Sequence, residues 1–414
     1  MISVEELRHI CSNKKVFIWG AMIVGQGVCR SLERNGISVE CFIDKSPSHQ
    51  GRQALGYPIR KPDDMFELVR RGGGVIITGS GHNSDEIAGL CDKAGLRKGS
   101  DYILCSDLND IDPSVDIAGA CNLKCISCPR GNMEDQPPVG FMSASTYKRV
   151  LNKLIDEIPL LGSIQLYAWG EPMLNKELPE IIAMTRDARV LTAISSNLNY
   201  AKNLEAVVAA GPDWFKVSCS GWGKNYEVTH TGGKWELFLS NLHKLARFRD
   251  KLNPEMQIIL NYHLYKHNIE EDYRRIESLC KELSIIFIPN CAYLYPLDYI
   301  MDFVDGKALS PEAMKITPML LMPLEEGILK ARELASQPCC EERTFPINWD
   351  CSVRECGVFF QPYIAGNFLE TPIKRIIEKQ RKGKLCAECK KRGIHQFTSV
   401  YLAEKRLYEE ETGR

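Results

Sequence analysis

Residues 118–132 read AGACNLKCISCPRGN, and the rest of the chain is most simply understood outward from them. Their three cysteines, Cys121, Cys125 and Cys128, follow a C-x3-C-x2-C spacing. Closely spaced thiolates suit a polynuclear iron-sulfur cluster, whose irons are held by cysteine sulfur. A 4Fe-4S cube takes four ligands, so three thiolates leave one iron open, much as a catalytic zinc keeps one position free. The spacing therefore points to catalysis more than to electron storage. The competing reading is a zinc knuckle or a chance cluster. Zinc sites usually pair two such arms, and neither a His nor a fourth Cys stands close by to complete a tetrahedron.

Around this loop the chain alternates strand and helix. Apolar runs at 115–117, 163–169, 190–195, 214–219, 257–262 and 285–288 read as strands, separated by helical patterns at 143–157, 176–188, 202–210, 234–252 and 269–283. The crossover rule turns six strands joined by helices into a right-handed parallel sheet, short of the eight strands of a closed barrel. Ligands of such folds gather at the carboxyl ends of the strands. Trp169-Gly170-Glu171-Pro172, Ser195-Ser196-Asn197 and Ser218-Cys219-Ser220-Gly221 stand at three of those ends. A glycine there lets a ligand approach the backbone, and a carboxylate accepts from an ammonium group. Cys291, Tyr293 and Tyr295 line the last end as a candidate substrate rim. His263 and His267 lie four apart near the fifth, where they need not share a face, and no third metal ligand is obvious.

CNLKCISC, after a short strand and before Pro-Arg-Gly, resembles the signature of the radical S-adenosylmethionine (radical SAM) enzymes. The resemblance implies a partial (β/α)6 barrel over residues 111–335, with a 4Fe-4S cluster on Cys121, Cys125 and Cys128. It also implies S-adenosylmethionine chelated to the open iron and split reductively, so that a 5'-deoxyadenosyl radical takes a hydrogen atom from the substrate. Gly170, Glu171 and Pro172 match the family's "GGE" segment, which holds the amino group of S-adenosylmethionine. Ser196 and Asn197 match the "STN" segment that bonds the ribose, and Ser218 stands in a variant of "SIDG". Cys219 replaces an apolar residue there, so Cys219 or Cys291 is a candidate hydrogen-atom donor. A strand cysteine is otherwise a small buried hydrophobe.

Residues 1–110 read as a separate α/β unit. A strand at 15–19, a turn from Gly20 to Gly25, a helical run to Gly36, a strand at 38–43 and then Asp44 follow the order of a dinucleotide-binding βαβ, with Met22 in place of the second glycine. A further strand at 74–78 ends in the glycine-rich turn 79–82. This unit resembles the Rossmann-like domains attached to sugar acetyltransferases and sugar methyltransferases. The resemblance implies contact with a nucleotide or nucleotide-sugar, and a ligand-free docking domain is the alternative.

The tail, residues 336–414, has Cys339-Cys340, then Phe345-Pro-Ile-Asn-Trp-Asp350-Cys351, Cys356 and the pair Cys386/Cys389. A C-x2-C pair with two distant cysteines suits one closed four-thiolate cluster or a zinc. The stretch resembles the SPASM/twitch extension of radical SAM enzymes. That implies one auxiliary 4Fe-4S cluster on Cys340, Cys356, Cys386 and Cys389, with Cys339 as the alternative to Cys340. Cys351 stands where relatives carry glycine.

Composition agrees with an ordinary globular chain: 414 residues, 44% hydrophobic, 25% charged and a net charge of -1. That balance makes no electrostatic case for nucleic acid or an acidic membrane surface. No apolar run approaches a membrane span, and the first residues lack the pattern of a signal peptide, so a cytoplasmic location is expected. Of 17 cysteines, six crowd between Cys339 and Cys389, which in a reducing compartment argues for metal centres. The reading that unites these features is a radical SAM oxidoreductase or epimerase acting on a carbohydrate or nucleotide-sugar, fed by a donor such as flavodoxin or ferredoxin. A peptide-modifying enzyme and a non-catalytic iron-sulfur sensor or scaffold are the alternatives.

Overall fold

The computed structural model describes residues 2–47, 49–79, 84–109, 111–136, 138–360 and 363–403, the side chains of Cys340 and Ala403 excepted. Contacts divide it into two compact units. One comprises Met1–Asp112, Lys148–Ile164 and Ala183–Thr192, the other Pro113–Tyr147, Gln165–Ile182 and Ala193–Arg414.

In the first unit, strands β1 (Lys15–Trp19), β2 (Cys41–Ile43), β3 (Gln53–Ala54), β4 (Tyr57–Arg60), β5 (Gly74–Thr78) and β6 (Tyr102–Ile103) form a sheet in the order β3-β4-β2-β1-β5-β6. β5 buries all five of its residues, and β1 buries the four after Lys15. A strand apolar on both faces needs cover on both, as in a parallel α/β sheet, and β1 pairs in parallel with both β2 and β5. The strand order reverses between β1 and β5. There the backbone is packed so closely that a Cβ on Gly25 would stand 1.8 Å from the Gly20 carbonyl oxygen, and one on Gly79 2.4 Å from the Gly25 Cα. Asp44 follows β2, as expected, and its carboxylate accepts from the Ala21 N–H at 3.3 Å and the Ser46 N–H at 2.8 Å. The rest of the expected glycine-rich turn, residues 80–82, lies outside the described residues. Arg34 ties the two later stretches into this unit, donating to the carbonyls of Pro159 (2.9 Å), Leu161 (2.6 Å) and Arg189 (3.1 Å).

The second sheet has nine strands: β7 (Asp112–Asp116), β8 (Ser163–Gln165), β9 (Leu191–Ser196), β10 (Trp214–Cys219), β11 (Gln257–Leu264), β12 (Ile286–Cys291), β13 (Thr344–Asn348), β14 (Ser352–Arg354) and β15 (Ile364–Asn367). Their order is β12-β11-β10-β9-β8-β7-β13-β14-β15. The six alternating strands thus lie side by side in chain order, with parallel pairing at β7–β8 and from β9 through β12, and they do not close on themselves. The fold is mixed α/β with parallel sheets. The tail adds β13, β14 and β15 beyond β7, with antiparallel pairing along that hairpin.

β8 is shorter than the run 163–169 suggests, because side chains of β7 take over its hydrogen bonds. The Ser114 hydroxyl donates to the Tyr167 carbonyl at 2.7 Å, and the Trp169 N–H donates to Asp116 at 3.1 Å. Register then sets the inner face. Ser195 pairs with Lys216, Ser218 with Asn261, and His263 with Asn290. Along β10 and β11 these polar residues are half-buried, whereas Val217, Cys219, Tyr262 and Leu264 between them are buried. Each large apolar side chain so buried contributes about 1.5–3 kcal/mol. Among the described residues no helix is long and apolar enough to cross a membrane.

Candidate active site

The cysteine loop is fastened from several sides. The Lys124 and Ile126 N–H groups donate to the carbonyls of Thr231 (2.9 Å) and Thr229 (3.1 Å), and the Asn132 amide donates to Ile126 (3.0 Å) and Tyr295 (2.9 Å). A Cβ on Gly131 would lie 2.3 Å from the Cys125 carbonyl oxygen, so only glycine allows this turn. The Trp349 indole, from the tail hairpin, lies against Gly119 and Gly140. An added Cβ would come within 2.4 Å of the ring at Gly119 and 2.3 Å at Gly140.

Cys121, Cys125 and Cys128 are half-buried on this loop. Burial pushes the Cys121 thiol up to about 11 and Cys128 up to about 12, and raises Cys125 well above the ordinary thiol range, its two neighbouring sulfurs adding to the effect. Metal ligation would replace those protons. Among the described residues no three His, Cys, Asp or Glu side chains are grouped tightly enough for a single metal ion. The fit of a cluster therefore rests on the donor set, three soft thiols on one pinned loop, which is the chemistry iron-sulfur centres use.

Two of the three expected strand ends meet this loop. Gly170 has no room for a side chain, since its Cβ would fall 1.4 Å from the Ala118 carbonyl oxygen. Glu171 is 2% exposed. Its two oxygens accept from the N–H groups of Met173 (3.1 Å) and Asn197 (2.8 Å), and burial, partly offset by these bonds, pushes its carboxyl up to about 7. The carboxylate thus braces one strand end against the next, with the Ser196 side chain as a further hydrogen-bond partner. Asn197 reaches the loop, its amide donating to Cys121 Sγ at 3.7 Å and Asn122 Oδ1 at 3.1 Å. The Ser196 hydroxyl accepts from the Leu198 N–H. Pro172 begins the short 3-10 turn after Glu171, and Ser218 stands half-buried on the inner face.

The two candidate hydrogen-atom donors sit elsewhere. Cys219 is fully buried on the face opposite Lys216 and Ser218, where its electrostatic neighbours include Cys280 and Asp272 of the helix Glu271–Glu282. Cys291, 2% exposed, neighbours Tyr401 of the helix Phe397–Ala403. Both therefore lie toward the covering helices, as strand alternation requires once the inner face is known. Tyr295 lies beside Trp169, with ring centroids 4.5 Å apart, and Tyr293 lies edge-on to Tyr295.

The inner face carries Lys216 and Tyr167, which no local pattern singled out, together with His263 of the histidine pair. Lys216 donates to the Tyr167 hydroxyl at 2.7 Å, which donates to Gln165 at 2.6 Å. Burial pushes His263 down to about 4 and His230 down to about 3, so both imidazoles are neutral hydrogen-bonding groups at pH 7. His230 stacks on Tyr226 at 4.3 Å. His267 instead stacks on Tyr265, with Asp272 and Asn225 as its electrostatic and hydrogen-bonding neighbours.

In the tail, Cys339, Cys356, Cys386 and Cys389 line one recess together with Glu341, Glu342 and Lys390. Burial raises the thiols of Cys356 and Cys386. The side chain of Cys340 lies outside the described residues; Cys339 lines the recess and donates to the His395 carbonyl at 3.5 Å. Cys351 adopts φ 67°, the left-handed region that favours glycine, at the turn between β13 and β14.

No protein-family model matches the chain. Over an alignment of 99 positions that covers 22% of the chain, it is 33% identical to 7,8-dihydro-6-hydroxymethylpterin dimethyltransferase of Methanocaldococcus jannaschii, and it spans about a fifth (19%) of that protein's length. Among solved structures, the chain is similar to BtrN in complex with AdoMet and 2-DOIA (18% identity, 72% of this chain and 92% of that one, TM-score 0.41). It is also similar to Streptococcus suis SuiB bound to S-adenosylmethionine (14%, 79% and 77%, TM-score 0.46) and to anSMEcpe with bound AdoMet (16%, 67% and 82%, TM-score 0.43).

Proposed function

We propose that this chain is a radical SAM enzyme that removes a hydrogen atom from a polar, carbohydrate-like substrate. The observation that carries the reading is the meeting of three thiols, on a loop pinned after β7, with Gly170, Glu171 and Asn197 at the ends of the next two strands. Cys121, Cys125 and Cys128 would hold a 4Fe-4S cluster whose open iron, with S-adenosylmethionine bound, supplies the hydrogen-abstracting radical. Gly170 keeps the ligand path against the backbone clear. Asn197 fixes Cys121, and Ser196 and Asn197 would hold the ribose. Glu171 holds two strand ends at a set separation. Lys216, Tyr167, Ser218, Asn261 and the neutral His263 line a polar inner wall suited to hydroxyl groups. The recess lined by Cys339, Cys356, Cys386 and Cys389 would hold an auxiliary cluster, which would supply an electron acceptor and so favour oxidation of an alcohol to a ketone over epimerisation. The placement of Cys219 and Cys291 toward the helices supports the same choice.

The test is anaerobic. Reconstituted protein with dithionite and S-adenosylmethionine should release 5'-deoxyadenosine, and a Cys125→Ala variant should not. Equal, background-level release from both proteins would reject the reading. Iron and sulfide analysis tests the tail separately: about eight irons per chain fits two clusters, and about four with one zinc does not.

A further inference from the structure

Four buried polar atoms without hydrogen-bond partners lie together between the cysteine loop and the tail hairpin: Asp116 Oδ1, Arg130 Nε, Trp169 Nε1 and Arg354 Nε. Buried polar groups are almost always paired, and a buried charge left unpaired is costly, so such a convergence calls for a bridging group. Asp116, Arg130 and Arg354 are 3%, 7% and 6% exposed. The carboxylate and both guanidinium groups are electrostatic neighbours, yet none of the ion pairs formed by the described residues joins them. The two guanidinium groups face Asp116, and Glu341 is a further electrostatic neighbour of Arg354, yet the Nε donors of both arginines stay unpaired.

The geometry gathers them around one aromatic pair. The Arg354 guanidinium carbon lies 5.4 Å from the Trp169 ring centroid, that of Arg130 lies 5.7 Å from the Phe360 ring, and those two rings are 5.5 Å apart. Asp116 is bound to the same element through the Trp169 N–H. The remaining protein contacts of the arginines are long: Arg130 to Gln136 and Arg354 to the Gly357 carbonyl, each at 3.5 Å. Their donors are therefore weakly used.

We propose that Arg130, Arg354 and the Trp169 indole form an oxyanion site that anchors a carboxylate or phosphate group of the substrate. A guanidinium fork matches either oxyanion with two parallel N–H bonds, and the indole N–H adds a donor from the side. Asp116 Oδ1, an acceptor, faces a hydroxyl of the same ligand, so the class is an acidic or phosphorylated polyol. Tyr295, its ring tilted by 31° against Trp169, provides an aromatic wall for the ligand. Arg130 stands two residues after Cys128 and Arg354 two before Cys356, which holds the ligand between the two thiol groups. This inference rests on the function proposed above for what the ligand is, but not for whether the oxyanion binds.

The experiment titrates the full-length reconstituted protein with sodium gluconate and, separately, inorganic phosphate at matched ionic strength, following tryptophan fluorescence. Saturable binding of at least one probe is expected, weakened about tenfold or more in Arg354→Gln and partly restored in Arg354→Lys. Tighter gluconate binding assigns a carboxylate, and tighter phosphate binding a phosphate ester. No saturable binding of either probe, or equal affinity in wild type and Arg354→Gln, overturns the site. Arg130→Gln gives the same comparison if circular dichroism shows that Arg354→Gln does not fold. Competition between the favoured probe and S-adenosylmethionine would give the site to that molecule's own carboxylate and overturn the substrate assignment. Oxyanion binding by a protein that releases no 5'-deoxyadenosine would leave this site standing and remove the enzyme reading instead.

Discussion

Substituting Glu171→Gln separates charge from shape at the centre of the site. Burial raises the Glu171 carboxyl from 4.5 to about 7. Each pKa unit corresponds to about 1.4 kcal/mol, so ionising this group in the folded chain costs about 3 kcal/mol more than in the unfolded one. The folded state binds the proton more tightly. Its stability contribution is therefore complete below about pH 4.5 and is lost as pH rises through about 7. A glutamine has no such dependence. Its amide oxygen replaces one acceptor, but its NH2 must then face the N–H of either Met173 or Asn197, and that lost bond costs about 1–3 kcal/mol at every pH. The variant should be clearly less stable than wild type at pH 5 and nearly equal or slightly more stable at pH 8. Urea unfolding of the metal-free, reduced protein, followed by tryptophan fluorescence from pH 5 to 8, reads the gap between them. Parallel stability profiles would refute the argument, because a carboxyl that ionises freely in the folded chain would produce them.

Other outcomes follow from particular contacts. Gly170→Ala places a methyl group 1.4 Å from the Ala118 oxygen, so the strand end must move; a destabilisation of about 3 kcal/mol or more and loss of 5'-deoxyadenosine release are expected, checked by thermal melting and product analysis. Trp349→Ala empties the slot beside Gly119 and Gly140 and should cost about 2–3 kcal/mol, with faster limited proteolysis in residues 118–140 as the measurement. Cys219→Ala removes a thiol from the helix-facing side, so substrate turnover should survive with a stability loss of about 1 kcal/mol; abolished turnover at unchanged iron content would contradict its placement.

Local pattern was enough for the elements and for the thiols of the loop. The helical and strand periods predicted six alternating strands, and all six form, because burial of one face of each element imposes its period on nearby residues. Cys121, Cys125 and Cys128 were legible for the same reason, since their spacing is set within one loop. Gly170 and Asn197 could be placed at strand ends because the strands they follow are locally encoded. Alternation shows that Val217 and Cys219 share a face but not which face looks inward, and only the neighbouring helix Glu271–Glu282 places Cys219 toward the helix layer. That Cys339 lines the tail recess depends on how the chain turns into the 3-10 segment Cys340–Arg343, which spacing along the chain does not contain. Asp116, Arg130, Trp169 and Arg354 belong to three stretches far apart in the chain, and the motifs that contain Arg130 and Trp169 do not mark them for this role. Their meeting follows from the tail strands joining the sheet beyond β7, a long-range pairing that no short window of sequence contains.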